Sequence, residues 1–363
     1  MHTAICDLLD IEYPIFAFSH CRDVVVEISR AGGFGVLGAA AIDPDDLEAE
    51  LRWIDERLKG RPYGIDLVLP VKYEGDDEAE MRALIPPEHI AFVDELMRRF
   101  GIPPRSSHDI TSPIRGHVRA RAQWEVALRH PVRLLASALG PAPRDIQHDA
   151  HERGIVVAGL VGAVSHAVKH VEAGTDIVIA QGTEAGGHAG EISTLVLVPQ
   201  VVDAIAPTPV LAAGGIADGR QIAAALALGA QGVWTGSLWL TTRESDTHPL
   251  VKDKLIQADS RDTVRSRCRT GKPVRQLRTP WVDAWEQTDA PRPLPAPLQQ
   301  MLVRDATISM IEHGVRDPMG TPVGQVVGMM RAERPVAAVL YDLIEQYIAT
   351  LQRMQPLFAE IET

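Results

Sequence analysis

Eight short apolar runs rich in Val, Ile and Leu alternate with segments of helical pattern, and this alternation constrains the fold more than any other feature of the 363-residue sequence. The runs fall at 13–18, 34–38, 63–69, 132–138, 155–160, 176–180, 209–213 and 232–236. The intervening segments carry helix signals. After the second run, Asp43 is a capping residue, Pro44 takes the first helical position, and Leu47, Leu51, Ile54 and Leu58 recur at helical spacing. After the seventh, Asp218 is the cap, Ile222, Ala225 and Leu226 form the apolar face, and Gly229 supplies the stop.

Eight strands joined by helical crossovers close into a barrel, whereas a doubly wound sheet usually carries a glycine-rich dinucleotide turn after its first strand. No G-x-G-x-x-G follows the first run, and Gly32-Gly33-Phe34-Gly35 leads into the second strand instead. The fold class expected is therefore α/β, a (β/α)8 TIM barrel over residues 1–240. Between strands three and four lie an acidic stretch (74–80), a helix (88–100), a Pro/Ser-rich turn (103–107) and a second helix (116–130) that serves as the barrel's own crossover. That leaves about 45 extra residues, an insertion at about 71–115 long enough to act as a lid or an interaction surface. Residues 241–363, with helical patterns at 297–313, 323–331 and 337–354, are expected to complete the helical layer and cover one end of the barrel.

The net charge of -12 opposes a polyanionic partner such as nucleic acid. A local basic run from Arg261 to Arg278 holds seven Lys or Arg; it reads as a solvated loop, with contact to a phosphate-bearing ligand as the other reading. Cys6, Cys21 and Cys268 are odd in number and widely spaced, which suggests neither a disulfide framework nor a thiolate metal site and fits a reducing compartment. No basic segment followed by an apolar stretch opens the chain, and no run of 18 uncharged apolar residues occurs, so a cytoplasmic protein with no membrane partner is expected.

The segment from Asp176 to Gly190, DIVIAQGTEAGGHAG, runs from a buried strand into a glycine-rich loop bearing Gln181, Glu184 and His188. Barrel enzymes build their sites at such C-terminal strand ends. Glycines at 182, 186 and 187 lack a Cβ and let backbone approach a flat ring closely. Strand seven ends in Ala213-Gly214-Gly215-Ile216, and strand eight in Thr235-Gly236-Ser237. Loops after these two strands supply the phosphate site in many barrels, which makes Gly214, Gly215, Gly236 and Ser237 phosphate-binding candidates. His166 and His170 share a helix face but lack the Glu of H-E-x-x-H and a third ligand, so no metal is expected. His148 and His151 read as surface residues, while His20 closes strand one at the catalytic end.

The set Gln181-Gly-x-Glu-Ala-Gly-Gly-His188, Ala213-Gly-Gly-Ile216 and Gly236-Ser237, with Thr270-Gly-Lys-Pro-Val-Arg275 and Val323-Gly-Gln325 in the tail, resembles the nitronate monooxygenases, formerly called 2-nitropropane dioxygenases. Related enoyl-acyl carrier protein reductases share much of it. The resemblance implies non-covalently bound FMN, His188 as catalytic base, flavin contacts from Gln181, Gly182, Gly187 and the strand-one end at Ala17 and Phe18, and phosphate contacts from Gly214, Gly215, Gly236 and Ser237. Where the family commonly ends strand three in Gly-Val-Asn-Leu, this chain has Gly64-Ile-Asp66-Leu67. A carboxylate beside the flavin is either protonated, hydrogen-bonded, or unfavourable to an anionic reduced flavin. Strand one also ends unusually, in Phe16-Ala-Phe-Ser-His20.

The expected activity is oxidation of a nitronate or nitroalkane with molecular oxygen. The alternative is an FMN- and NAD(P)H-dependent reductase or dehydrogenase acting on an enoyl or keto thioester, and a third reading is a flavin-binding protein without turnover.

Overall fold

The computed structural model describes residues 1–69, 78–105 and 117–359. In chain order its elements begin α1 (Ala4–Leu9), β1 (Ile15–Ser19), α2 (Arg22–Arg30), β2 (Phe34–Gly38), α3 (Pro44–Leu58), β3 (Tyr63–Val68), α4 (Glu78–Ala83), α5 (Pro87–Phe100), α6 (His117–Ala127) and β4 (Leu134–Ala138). They continue α7 (Arg144–Glu152), β5 (Val156–Val161), α8 (Val164–Ala173), β6 (Ile177–Gln181), α9 (Thr194–Ile205), β7 (Val210–Ala213), α10 (Gly219–Ala227) and β8 (Gly232–Thr235). The tail holds α11 (Pro249–Gln257), β9 (Thr263–Ser266), β10 (Val274–Leu277), α12 (Pro280–Trp285), α13 (Leu298–Glu312) and α14 (Val336–Ala359).

Strands β1 to β8 form a closed barrel in sequence order, all parallel, with β1 returning to β8 through Ile15↔Val233, Phe16↔Trp234 and Ala17↔Thr235. Alternate side chains face opposite sides of each strand. Phe16, Phe34, Leu134, Ile177, Ile179, Leu211 and Trp234 therefore fill the interior, with the Phe16 and Phe34 ring centroids 5.0 Å apart. The same cluster takes in Ile5, Cys6 and Leu9 of α1, so this short helix closes the N-terminal end of the barrel. Ala17, Val178, Ala180 and Ala212 face outward against the helical layer.

The outer helices follow their sequence signals, with one change. Leu47, Leu51, Ile54 and Leu58 are all buried on α3, and Pro44 opens it. Asp43 makes no side-chain cap there; its carboxylate pairs with Arg119 at 2.9 Å. Asp218 does cap α10, accepting from Arg220 N at 2.8 Å and from the Arg220 guanidinium, which holds its carboxyl below the usual carboxylate range. At the next residue the tail docks. A Cβ on Gly219 would lie 2.2 Å from Tyr347 N and 2.4 Å from Leu343 O, so α14 crosses α10 backbone to backbone, and Gly219 N donates to Gln346 Oε1.

The insertion and the tail share a core of their own. Val93, Leu96 and Ile102 from the insertion pack with Trp281, Trp285, Val303 and Met310 from the tail, and the Phe92 and Trp285 rings meet edge-on at 4.9 Å. The described part of the insertion is thus docked on the tail. Residues 74–77 of the acidic stretch and part of the Pro/Ser-rich turn lie outside the described residues, while 78–80 open α4. The basic run also differs from the solvated loop expected of it: it forms the antiparallel ribbon β9–β10, in which Arg275 faces Arg265. Among the described residues no helix is long and apolar enough to cross a membrane, and no group of three or more His, Cys, Asp or Glu is placed to hold a metal.

His170, one of the pair read as a non-metal site, is buried on α8 with its ring against Gly159 of β5, where a Cβ would lie 2.0 Å from Nδ1. Burial, with His166 nearby, pushes its pKa down to about 4. Because the unfolded chain protonates this group first, near its ordinary value of about 6.5, its contribution to stability is full above that pH and declines as pH falls toward 4. Urea midpoints measured across this range should fall less steeply for His170→Asn than for the wild type. Identical slopes would show that this ring does not set the acid sensitivity.

Candidate active site

The loop after β6 is built by close backbone approaches. Ile177 and Ile179 face the barrel interior, so Gln181 is the next interior position, at the C-terminal rim. Gly182 N donates to Ala213 O at 2.9 Å, and a Cβ at Gly182 would lie 2.1 Å from Thr194 Oγ1. The chain then turns back through Glu184, whose carboxylate accepts from Thr194 N (3.0 Å) and Thr194 Oγ1 (3.0 Å). Glu184 therefore receives the first N–H of α9, where a negative charge is favoured by the helix dipole. Although the sequence places it beside His188, its carboxylate is engaged in holding the loop to this helix.

The tail grips the other end of the loop. A Cβ on Gly186 would meet Gly324 N at 2.7 Å, and one on Gly324 would meet Glu184 O at 2.6 Å, so the two segments cross in backbone contact. Gly187 N donates to Arg275 O and Arg275 N donates to Gly187 O, both at 2.9 Å. The buried Arg275 side chain donates through Nε to Thr183 O (2.8 Å) and through Nη1 to Thr263 Oγ1 (3.2 Å). Burial lowers the pKa of this guanidinium, the facing Arg265 lowers it further, and Glu184 opposes both. Arg265 itself donates to Ala189 O at 3.2 Å.

His188 follows, half-buried, with Nδ1 3.2 Å from the Pro273 carbonyl. A carbonyl oxygen only accepts, so Nδ1 carries the hydrogen, and in the neutral ring the lone pair resides on Nε2.

The ends of β7 and β8 offer donors. Among the described residues the backbone N–H groups of Gly214, Gly215, Gly236 and Ser237 have no protein acceptor. Gly214 and Gly215 adopt φ of 91° and 71°, left-handed backbone that glycine takes without strain. Ser237 Oγ accepts from Gly324 N at 2.8 Å, which ties this rim to the tail segment that crosses Gly186.

On the remaining rim, Phe18 faces inward, its ring 5.1 Å from that of His20 at a steep angle. Gly38 of β2 makes room for both, since a Cβ there would lie 2.6 Å from Phe18 Cζ and 2.7 Å from His20 Nδ1. His20 donates from Nδ1 to Gly38 O at 2.7 Å. Asp66, buried on β3, sits in register between Gly38 and Ala136 and faces inward, because Ile65 and Leu67 on either side face the outer helices. Ala17, by contrast, points its side chain into the helical layer and can present only backbone to the rim. His148 is a surface residue paired with Glu152, and His151 with Asp176.

A family model described as nitronate monooxygenase matches residues 2–346. The chain belongs to the nitronate monooxygenase family. It is 50% identical to Rv1533 of Mycobacterium tuberculosis, provisionally named a monooxygenase, over 98% of this chain and 99% of that one. It is 32% identical to a "Probable nitronate monooxygenase" of Staphylococcus saprophyticus, over 80% of this chain and 82% of that one. Among solved structures, nitroalkane oxidase from Streptomyces ansochromogenes superposes with a TM-score of 0.82 at 25% identity, over 97% of this chain and all of that one. FabK from Thermotoga maritima gives 0.76 at 28% identity, over 98% and 99%.

As a member of the nitronate monooxygenases the chain is a flavin-dependent oxidoreductase. Its residues fit a bound flavin nucleotide, because the four N–H groups at the adjacent β7 and β8 ends have no acceptor among the described residues and are open to an anion. Sequence reasoning missed two features. The ribbon partners of the His188 loop, Pro273 and Arg275, are remote in the chain, and only the Thr270–Arg275 motif signals them. Leu139, on the rim after β4, is half exposed at φ 69°, a conformation costing about 1 kcal/mol for a branched side chain. Ser137 Oγ, donating to Gly140 O at 2.8 Å, braces that turn.

Replacing Gly215 by Val puts a branched side chain at φ 71° and against Glu184, whose Cβ is 3.5 Å from the new Cβ. The expected outcome is a folded protein depleted of flavin, read from the visible absorbance of the purified variant. Full yellow colour in Gly215→Val would remove this turn from the flavin site.

Proposed function

We propose that the protein oxidises nitronates and nitroalkanes with molecular oxygen, that its flavin is FMN, and that His188 is the catalytic base. The observation that carries this reading is the Nδ1–H to Pro273 carbonyl bond, which leaves the Nε2 lone pair as the proton acceptor of a neutral imidazole at the barrel rim. A neutral nitroalkane gives its α-proton to Nε2 and becomes the nitronate, while the histidine becomes imidazolium and stabilises the new anion. When bound, FMN supplies the electron transfer to oxygen that no side chain can. Gly214, Gly215, Gly236 and Ser237 would hold its phosphate, with Gln181, Gly182, Gly187, Phe18, Asp66 and the backbone of Ala17 around the ring. Phe18 and Leu139 give the substrate side of the rim an apolar surface, suited to the alkyl part of a small nitro compound.

The likeness to FabK motivates one comparison, with a nicotinamide cofactor as reductant and a thioester as acceptor. His188→Asn separates the outcomes. It should retain flavin, lose about 100-fold or more in turnover of neutral nitroalkanes, and keep most of its activity on preformed nitronates, because only the neutral substrate needs a base. Equal loss on both substrates would remove His188 from the base role. Anaerobic bleaching of the wild type by NADH or NADPH, with no reaction of either nitro compound, would replace the whole reading by the thioester one.

A further inference from the structure

We infer that the β9–β10 ribbon sets the tautomer and orientation of His188, with Arg275 as the positioning residue; this rests on His188 acting as the base proposed above. Three ties converge on the loop. The Pro273 carbonyl takes the Nδ1 hydrogen of His188, and the proline ring fixes the backbone φ just before that carbonyl. The adjacent Gly187 is paired to Arg275 by reciprocal backbone bonds of 2.9 Å. The guanidinium reaches past this pairing to Thr183 O, so a single residue binds the loop at its start and beside the histidine, and its second branch bonds Thr263 on the facing strand.

The cost of this arrangement indicates what it is for. Arg275 is buried directly opposite Arg265, and like charges facing each other across a ribbon destabilise it. Burial adds a further penalty, visible as a lowered guanidinium pKa. An apolar residue at 275 would serve the ribbon better. What only a guanidinium provides is a rigid fork that donates in two directions at once, one to the loop and one to β9. Lysine can reach one acceptor or the other but cannot hold both in a fixed plane. The neutral imidazole has two tautomers, and an acceptor held at Nδ1 selects the one with a basic Nε2. If Arg275 is removed, the loop and Pro273 are free to separate and that selection is lost.

The test uses the holoenzyme, 15N-labelled at histidine, with the His188→Asn spectrum assigning the His188 signals. Neutral His188 in the wild type should show the hydrogen on Nδ1, and Arg275→Gln should show a mixture or the Nε2–H form. In turnover, Arg275→Gln should lower kcat/KM for a neutral nitroalkane about 10- to 100-fold, the scale of a small misplacement of a catalytic group. Arg275→Lys should recover part of that loss, and bound flavin should stay at the wild-type level. A merely structural role would reduce flavin content and both nitro substrates in parallel and leave the tautomer unchanged; either result, or an Nε2–H wild type, overturns the inference. If Arg275→Gln fails to fold, Thr263→Val removes one branch of the fork, and the wild-type spectrum still decides the tautomer. Should His188→Asn keep neutral nitroalkane turnover, the base reading fails by itself, whereas a His188→Asn that loses neutral nitroalkanes but keeps preformed nitronates, with a wild-type tautomer in every Arg275 variant, sinks only the positioning role.

Discussion

Backbone contact between Gly186 and Gly324 is the constraint on which the rim of this barrel depends. Neither position has room for a Cβ, since the opposing main-chain atoms lie at 2.7 and 2.6 Å. Loop backbone brought this close must find its hydrogen bonds locally, and it does: Gln325 N donates to Glu184 O at 2.9 Å and Gly324 N to Ser237 Oγ. One short tail segment thereby joins the loop after β6 to the turn after β8. The candidate site is in consequence a joint product of barrel and tail, and a barrel ending at β8 would leave the His188 loop without its partners.

The tail is committed to the barrel by different physics at different places. At α10 it is steric: Gly219 admits the α14 backbone, and Val336, Leu340, Leu343 and Ile344 then join the outer core of the barrel. Along the insertion it is hydrophobic, with Trp281 and Trp285 buried against Val93 and Leu96. Large aromatic side chains bury enough area for a few of them to hold a satellite core together. Movement of α5 toward or away from the rim would have to break this core or carry α12 and α13 with it.

The fold was legible in the sequence because each strand and its crossover carry a local signal. The eight apolar runs match β1 to β8 to within two residues at each end, and the stripe on α3 is buried residue for residue. What escaped was non-local. Asp43 looked like a cap, yet a stronger partner, Arg119, arrives from beyond the insertion. The basic run looked like a solvated loop because seven charges in a short span normally seek water; no local pattern announces that two arginines will face each other and be stabilised by the carbonyls of another loop. Glu184 stood beside the histidine in a glycine-rich loop, which is how a catalytic carboxylate also looks. Its engagement with the α9 N-terminus becomes visible only when Thr194 folds back to it.

The residues of the β1–β3 rim are not independent of one another. Phe18, His20 and Asp66 lie on β1, the end of β1, and β3, and Gly38 of β2 is the small residue that lets the Phe18 and His20 rings share the space between them. In an eight-stranded barrel β2 stands four strands from β6, directly across the mouth from the His188 loop. Any gain in bulk at Gly38 would displace the Phe18 ring or the His20 imidazole, and any change of charge at the buried Asp66 would be felt by whatever fills the mouth. These four residues are physically coupled, because they touch or share a register. His188, proposed as the base, and the glycine turns proposed for the phosphate follow β6 to β8 and are braced by the tail, away from the β1–β3 side. A change of substrate is most economically written on that side, across the mouth from the proposed base and the turns proposed for the phosphate.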